Sequence, residues 1–124
     1  MRTAILKHLK SNVPLVNGEV YQPHMAGPKR KTPYLVLKIA GEVANGHKNA
    51  YDRTIEVWPY ANPDNYEVID AITTQVIAAM SKDITTPAGV IELRYIGSGS
   101  DYYDPDYKQI TNGPIEFEWA LIRD

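Results

Sequence analysis

The sequence predicts an α+β fold: an antiparallel or mixed sheet of about four main strands, two helices packed on one face of the sheet, and a small N-terminal hairpin. Four segments alternate apolar and polar residues or are rich in β-branched residues, and two others place apolar residues at helical spacing. Hairpin-length loops or one helix join the strands, which favours antiparallel neighbours. With 124 residues, 44% of them hydrophobic, we expect one core and a single domain spanning residues 1–124.

The N-terminal region predicts a short helix followed by a hairpin. Residues 2–11 place Ile5, Leu6 and Leu9 at helical spacing. The dipeptide Asn17-Gly18 commonly forms a two-residue turn, because both residues tolerate positive φ. It therefore predicts a small hairpin within residues 13–21.

A second helix is predicted to begin at Asn62-Pro63 and to end near Ser81. Asparagine can cap a helix, and proline fits the first helical position. The helix would then present one apolar stripe to the core. That stripe consists of Ile69, Ile72, Val76 and Met80.

The four predicted strands are residues 33–43, 51–58, 90–96 and 115–122. The first is apolar on both faces, which indicates an interior strand. In the second, Ile55 and Val57 share one face and Thr54, Glu56 and Trp58 the other. The last shows the clearest half-buried alternation, with Ile115, Phe117, Trp119 and Leu121 on one face.

Three polar stretches predict flexible loops, at residues 22–33, 44–50 and 97–108. The chain is also divided by charge. Residues 1–62 contain nine Lys and Arg against four Asp and Glu, whereas residues 63–124 contain four against eleven. The two halves therefore have formal charges of about +5 and −7, and could match each other's surfaces within one copy or between copies.

Composition excludes several classes of site. The chain has no cysteine, which removes disulfides, thiolate metal sites and a thiol nucleophile. No stretch approaches 18 uninterrupted apolar residues, and the N-terminal apolar run is broken by Lys7 and His8. We therefore expect neither a signal peptide nor a membrane span.

No motif predicts catalysis, a cofactor or a metal. His8, His24 and His47 lack ligand spacing, which favours exposed or loop positions over a metal site. Asp101, Asp104 and Asp106 are spaced for a calcium loop, but the glycine and the distal glutamate of an EF-hand are missing. We expect a protein that is not an enzyme.

Two further patterns have ordinary explanations. The Gly97-Ser-Gly-Ser stretch follows a strand as a phosphate-binding loop would, but it does not lead into a helix start with a lysine. Glu116 and Glu118 share the polar face of one strand, as catalytic carboxylates might be arranged, and simple alternation accounts for them.

Charged and aromatic loop residues predict an interface. The basic run Lys29-Arg30-Lys31 could neutralise phosphates, be a solvated loop, or meet the acidic loop 101–106 of another copy. Tyrosines in that acidic loop are candidate anchors. The candidate interface residues are Lys29, Arg30, Lys31, Asp101, Tyr102, Tyr103, Asp104 and Asp106.

The arrangement of these elements over nearly the whole chain resembles the tail-terminator, or tail-completion, proteins of long-tailed bacteriophages and prophages. The likeness is one of layout and does not rest on a diagnostic motif. Its parts are the N-terminal helix, Val20-Tyr21 before a Pro-rich loop, Pro33-Tyr34-Leu35-Val36, Ile55-Glu56-Val57-Trp58, the helix at 62–80, the strand at 91–95, and the Ile-x-Phe-x-Trp alternation of 115–121.

The resemblance implies a structural virion-assembly protein without an active site or cofactor. Such a protein forms a ring with itself, usually a hexamer, at the head-proximal end of the tail tube. It stops tube polymerisation and joins the tube protein to the head connector or completion protein. We accordingly expect it in the host bacterial cytoplasm before assembly and in the virion afterwards, with no membrane partner and no nucleic acid except DNA passing through the ring.

Two alternatives remain open from the sequence. One is another head-completion or connector protein of the same joint. The other is a small nucleic-acid-binding module that uses Lys29, Arg30 and Lys31. A hydrolase using the acidic loop and a histidine is the least favoured, because its groups lie far apart in sequence.

Overall fold

The computed structural model describes residues 2–22, 33–39, 53–63, 65–105 and 109–122. The expected loop at 44–50 lies outside these residues, as does nearly all of the loop at 22–33. The described elements are helices α1 (Arg2–Asn12) and α2 (Tyr66–Met80), a 3₁₀ turn at Pro14–Val16, and strands β1 (Val20–Tyr21), β2 (Tyr34–Ile39), β3 (Arg53–Tyr60), β4 (Ile84–Thr86), β5 (Gly89–Ser98), β6 (Tyr102–Asp104), β7 (Gln109–Thr111) and β8 (Ile115–Ile122).

The α+β class is confirmed, and the main sheet is mixed. It contains six strands in the order β1-β2-β3-β8-β5-β4. Strand β1 is parallel to β2, and all the other neighbours are antiparallel. The expected four main strands correspond to β2, β3, β5 and β8. The short edge strands β1 and β4 were not predicted, because two or three residues are too few to show a period.

Strand β8 lies between β3 and β5 and has the predicted alternation. Phe117 is opposite Ile55 on β3 and opposite Tyr95 on β5. Phe117 is fully buried and Trp119 is 7% exposed. The core therefore lies on the face of the sheet that these residues share.

Helix α2 confirms the apolar stripe but not the predicted start. The four stripe residues are buried. The helix begins at Tyr66, because Asn62 and Pro63 form a turn in which the Asn62 carbonyl accepts a hydrogen bond from the Asn65 N–H at 3.2 Å. Asn65 occupies the N-cap position without a side-chain hydrogen bond.

The predicted N-terminal hairpin is wrong. Proline at position 14 begins a 3₁₀ turn, which the N–H of Asn17 closes on the Pro14 carbonyl at 3.1 Å. Asn17 and Gly18 do adopt positive φ, of 51° and 79°. They direct the chain into β1, which pairs with β2, so the turn joins a 3₁₀ segment to a strand.

Both helices share a hydrophobic cluster with the strand residues of one sheet face. Ile5 and Leu9 of α1 and Ile72 and Val76 of α2 belong to it. The α1 side chain of His8 also contacts α2, with its Nε2 atom 2.7 Å from the Ala79 carbonyl. Helix α2 also contacts strand β7 of a second sheet. The predicted arrangement, with both helices packed on one face of the main sheet, is therefore only partly correct.

The loop predicted at 97–108 contains regular structure. Strand β5 extends to Ser98, and β6 pairs with β7 as an antiparallel two-stranded ribbon. Its three-residue strands are too short for sequence periodicity to reveal. Within the described part of the chain, neither helix is both long and apolar enough to cross a membrane.

Replacing Trp119 with alanine should destabilise the fold by about 3–5 kcal/mol, the usual cost of removing a large buried aromatic side chain. Chemical denaturation would measure the loss. Ile122→Ala, at a 40% exposed position of the same strand, should change stability by less than about 0.5 kcal/mol. An unchanged midpoint for Trp119→Ala would contradict the burial of this side chain.

Replacing His8 with alanine should cost about 1 kcal/mol, because it removes a part-buried hydrogen bond between the two helices. Thermal or chemical unfolding would detect the loss. The exposed neighbour Lys7 provides the control, since Lys7→Ala should leave the midpoint unchanged. Equal midpoints for the two variants would show that the His8 contact does not stabilise the fold.

Candidate functional site

The face of the sheet opposite the helices, here called the outer face, carries the candidate site. Leu35 and Leu37 of β2 pack into the helix cluster. Because side chains alternate along a strand, Val36 and Lys38 point to the outer face. On β3, Trp58 lies opposite Val36, and Tyr60 lies opposite Tyr34.

Aromatic rings form a second cluster on this face. Tyr34 and Tyr60 stack with ring centroids 5.2 Å apart, and Tyr21 meets Tyr34 edge-on at 5.9 Å. Trp58 and Tyr21 pack against the buried members of the cluster. These tilted and stacked arrangements match the electrostatic preference of aromatic pairs.

The β6–β7 ribbon is held against this cluster by hydrogen bonds. The Tyr60 hydroxyl donates to Asp104 Oδ2 at 3.3 Å, and the Tyr34 hydroxyl donates to Gln109 Oε1. Ala61 and Ile110 exchange two backbone hydrogen bonds, at 3.1 and 3.0 Å. The ribbon is therefore fixed beside the end of β3.

A groove of about 560 Å³ opens between the outer face and the ribbon, and is here called the outer groove. Strands β2 and β3 supply its floor, and the segments around β6 and before β8 supply its walls. It is lined by Val36, Lys38, Trp58, Tyr60, Gly99, Ser100, Tyr102, Asp104, Gly113 and Pro114.

Two glycines allow the walls of the outer groove to cross closely. The Gly99 N–H donates to the Pro114 carbonyl at 3.1 Å. A Cβ atom on Gly99 would lie 2.7 Å from the Asn112 carbonyl oxygen and 3.0 Å from the Gly113 Cα. Gly99 lies in the stretch that resembled a phosphate-binding loop, and its structural role is this backbone crossing.

The outer face is rich in carboxylates. Glu56 lies directly opposite Glu116, and it accepts a hydrogen bond from Trp58 Nε1 at 3.0 Å. Arg94 forms an ion pair with Glu118. Lys38 lies opposite Glu56 across the β2–β3 pair. Adjacent like charges such as Glu56 and Glu116 are unfavourable, so a cationic partner would relieve repulsion on this face.

The structure brings two of the sequence-predicted interface residues into the outer groove. Tyr102 and Asp104 line it, and Tyr102 is 53% exposed. Tyr103 lies between them on the opposite face of the ribbon and is 48% exposed. Asp101 is exposed immediately before β6. The other predicted interface residues, Lys29, Arg30, Lys31 and Asp106, lie outside the described residues.

The floor of the groove was not predicted from the sequence. Lys38, Trp58 and Tyr60 come from strands far in sequence from the ribbon. One signal was present, since Trp58 was assigned to the polar face of its strand, and a large aromatic residue there is a candidate contact residue. The ribbon that places Tyr102 above this floor had no sequence signal.

The groove offers hydroxyls, one carboxylate, one ammonium group and aromatic surfaces, which suits binding by stacking and hydrogen bonding. In the part of the chain that the structure describes, no group of three or more His, Asp or Glu residues could hold a metal ion. His24 and His47 lie outside that part. Comparison with family models, with curated proteins and with solved structures finds no match to this chain.

Replacing Gly99 with alanine should destabilise the protein by about 1–3 kcal/mol, because the added methyl group would press on backbone atoms that cannot rotate away. Chemical denaturation provides the measurement. Ser98→Ala, at the exposed neighbouring position, should stay within about 0.5 kcal/mol of the parent. A Gly99→Ala variant as stable as Ser98→Ala would contradict the close crossing.

Proposed function

We propose that this chain is a structural virion-assembly protein that caps the head-proximal end of a phage tail tube and joins it to the head connector. The single observation that supports an assembly role is a group of exposed aromatic and apolar side chains within one short segment of the chain. Between positions 95 and 103, Tyr95, Ile96, Tyr102 and Tyr103 are 43–53% exposed. Exposed aromatic side chains concentrated in one short region favour an interface with another protein.

The ordered setting of the Tyr95 ring, and of the backbone that carries Tyr102 and Tyr103, strengthens the proposal. Tyr95 packs against the buried Phe117 ring with centroids 5.8 Å apart, and its hydroxyl lies 2.6 Å from Ser98 Oγ. Tyr102 and Tyr103 lie on the hydrogen-bonded ribbon. Side chains already ordered lose little entropy on association, which suits interface anchors.

The proposed position at the head-proximal end of a phage tail comes from the resemblance in layout described above. A ring needs two different contact patches on each subunit, and the oppositely charged halves of the chain supply candidate patches. We propose a hexameric ring on assembly, with the tail tube protein and the head connector or completion protein as partners. Another completion or connector protein of the same joint is the closest alternative.

The described charges favour a protein partner over nucleic acid. In the described residues, the outer face and ribbon carry the carboxylates of Glu56, Glu116 and Asp104 beside Lys38 and the Arg94–Glu118 ion pair. A phosphate backbone would be repelled by this surface. The nucleic-acid alternative therefore depends on Lys29, Arg30 and Lys31, which lie outside the described residues.

Light scattering with purified tail tubes provides the test. The protein should form a ring, or cap tube ends as seen by electron microscopy, and high salt should weaken its association because exposed charge pairs are screened. Tyr103→Ser should weaken that association at least about tenfold, as loss of an aromatic anchor does. Leu15→Ser, at another exposed apolar position, should have no effect.

A protein that stays monomeric at every salt concentration and does not bind tail tubes would overturn the proposal. If Tyr103→Ser associates with wild-type affinity, assembly does not depend on this exposed tyrosine. Binding to isolated head connectors without any binding to tubes would favour the alternative of another completion or connector protein at the same joint.

A further inference from the structure

We propose that the outer groove binds the basic, proline-flanked segment 28–33 of a second copy of this chain. This inference rests on the proposed self-assembly and names the two surfaces that would meet. Three observations support it: the aromatic lining of the groove, the acidic residues at and beside it, and the composition of segment 28–33.

The aromatic lining suits an extended peptide. Tyr60 and Val36 form a buried floor, with 5% of each exposed, while Tyr102 stands half-exposed above them. Trp58 is part-exposed beside Val36, and its Nε1 atom is already engaged by Glu56. Grooves lined by aromatic rings are a common site for proline-containing extended segments.

The lining itself carries one carboxylate, Asp104, and one ammonium group, Lys38, so the preference for a cationic ligand comes from the acidic residues beside the groove. Asp104 lines one wall, and the exposed Asp101 lies three residues earlier. Glu56 and Glu116 lie opposite each other on the adjoining outer face. Lysine and arginine can pair with such carboxylates, and they also stack on the faces of tryptophan and tyrosine.

One segment of this chain has the matching composition. The sequence Pro28-Lys29-Arg30-Lys31-Thr32-Pro33 is its only dense basic run, and a proline stands at each end. Proline restricts the unbound chain and so lowers the entropy lost on binding. A basic donor segment and an aromatic acceptor groove would give each copy the two unlike contact elements that a ring requires.

The acceptor for a binding test is the full chain with Lys29→Glu, Arg30→Glu and Lys31→Glu, which keeps the groove and removes the competing basic run. A labelled peptide of residues 26–33 should bind it saturably, as measured by fluorescence anisotropy. The same peptide with its three basic residues changed to glutamate should not bind. Raising the salt should weaken binding, because charge pairing contributes.

Groove variants in this acceptor locate the site. Tyr102→Ala should weaken peptide binding at least about tenfold, and Ser100→Trp should block it by filling the groove from its rim. Ser98→Trp, two residues away and outside the lining, is the matched control and should bind as the acceptor does. Circular dichroism would verify that each variant is folded. Absent binding, or equal binding by all three variants, would overturn the inference.

Cross-linking tests whether the contact joins two copies. The chain has no cysteine, so single cysteines can be placed in separate preparations, Ser100→Cys at the groove rim and Thr32→Cys in the donor segment. Mixing them under mild oxidation should give the mixed disulfide dimer. Ser81→Cys, exposed at the end of α2, should cross-link to Thr32→Cys at least about tenfold more slowly. Equal rates would overturn binding between copies.

The two proposals can fail separately. Peptide binding that is lost in Tyr102→Ala, in a protein that never caps tubes, would support the groove and overturn the phage assignment. Tube capping that depends on Tyr103, with no peptide binding to the groove, would leave the proposed function and overturn this inference. Tyr103 lies on the other face of the ribbon, so Tyr103→Ala should affect self-association without affecting peptide binding.

Discussion

The insertion of β8 between β3 and β5 is the constraint on which the rest of this structure depends. Strands β3 and β5 are not neighbours, and each is joined to the sheet's other half through β8. The last regular element of the chain therefore joins strands formed by its earlier parts. Its inward residues complete the core beneath both helices, while its outward glutamates contribute two of the carboxylates of the outer face.

The outer groove follows from the limited length of β8. Pairing between β3 and β8 ends at Val57 and Ile115, but β3 continues to Tyr60. Pro59 lies in this extension, where its missing N–H breaks no bond to β8. Beyond it, Ala61 bonds to Ile110 of the ribbon. The chain between β5 and β8 thus returns over the end of β3 and encloses a space above Trp58 and Tyr60.

Elements long enough to show a repeating pattern of apolar and polar residues were predicted from the sequence. Shorter elements were not predicted. The α2 stripe and the alternation of β8 could be read because each covers several turns or several residue pairs. Strands β1, β4, β6 and β7 have two or three residues, so only their tertiary neighbours define them. Asn17 and Gly18 adopt the expected backbone conformation. The strand that follows them, β1, pairs with β2, and no local pattern at the turn indicates that partner.

The candidate site was harder to predict than the fold, because its walls come from distant parts of the chain. Tyr102 and Asp104 were selected for being aromatic and acidic in a polar stretch. The floor of β2 and β3 residues requires knowledge of strand order, which no local pattern contains. A Trp on the polar face of a predicted strand was the one local signal for that floor.

Contacts between unlike surfaces have consequences for assembly. A short segment in an open groove buries little area, so one such contact holds two copies together only weakly. In a closed ring each subunit makes two such contacts, one with each neighbour. A template that holds neighbouring subunits side by side also raises their effective concentration into the millimolar range. The end of a tail tube would be such a template, and its symmetry would decide the number of subunits. A weak contact of this kind prevents free copies from forming open filaments, the usual hazard of head-to-tail interfaces. Weak binding by the groove is therefore what the proposed function requires.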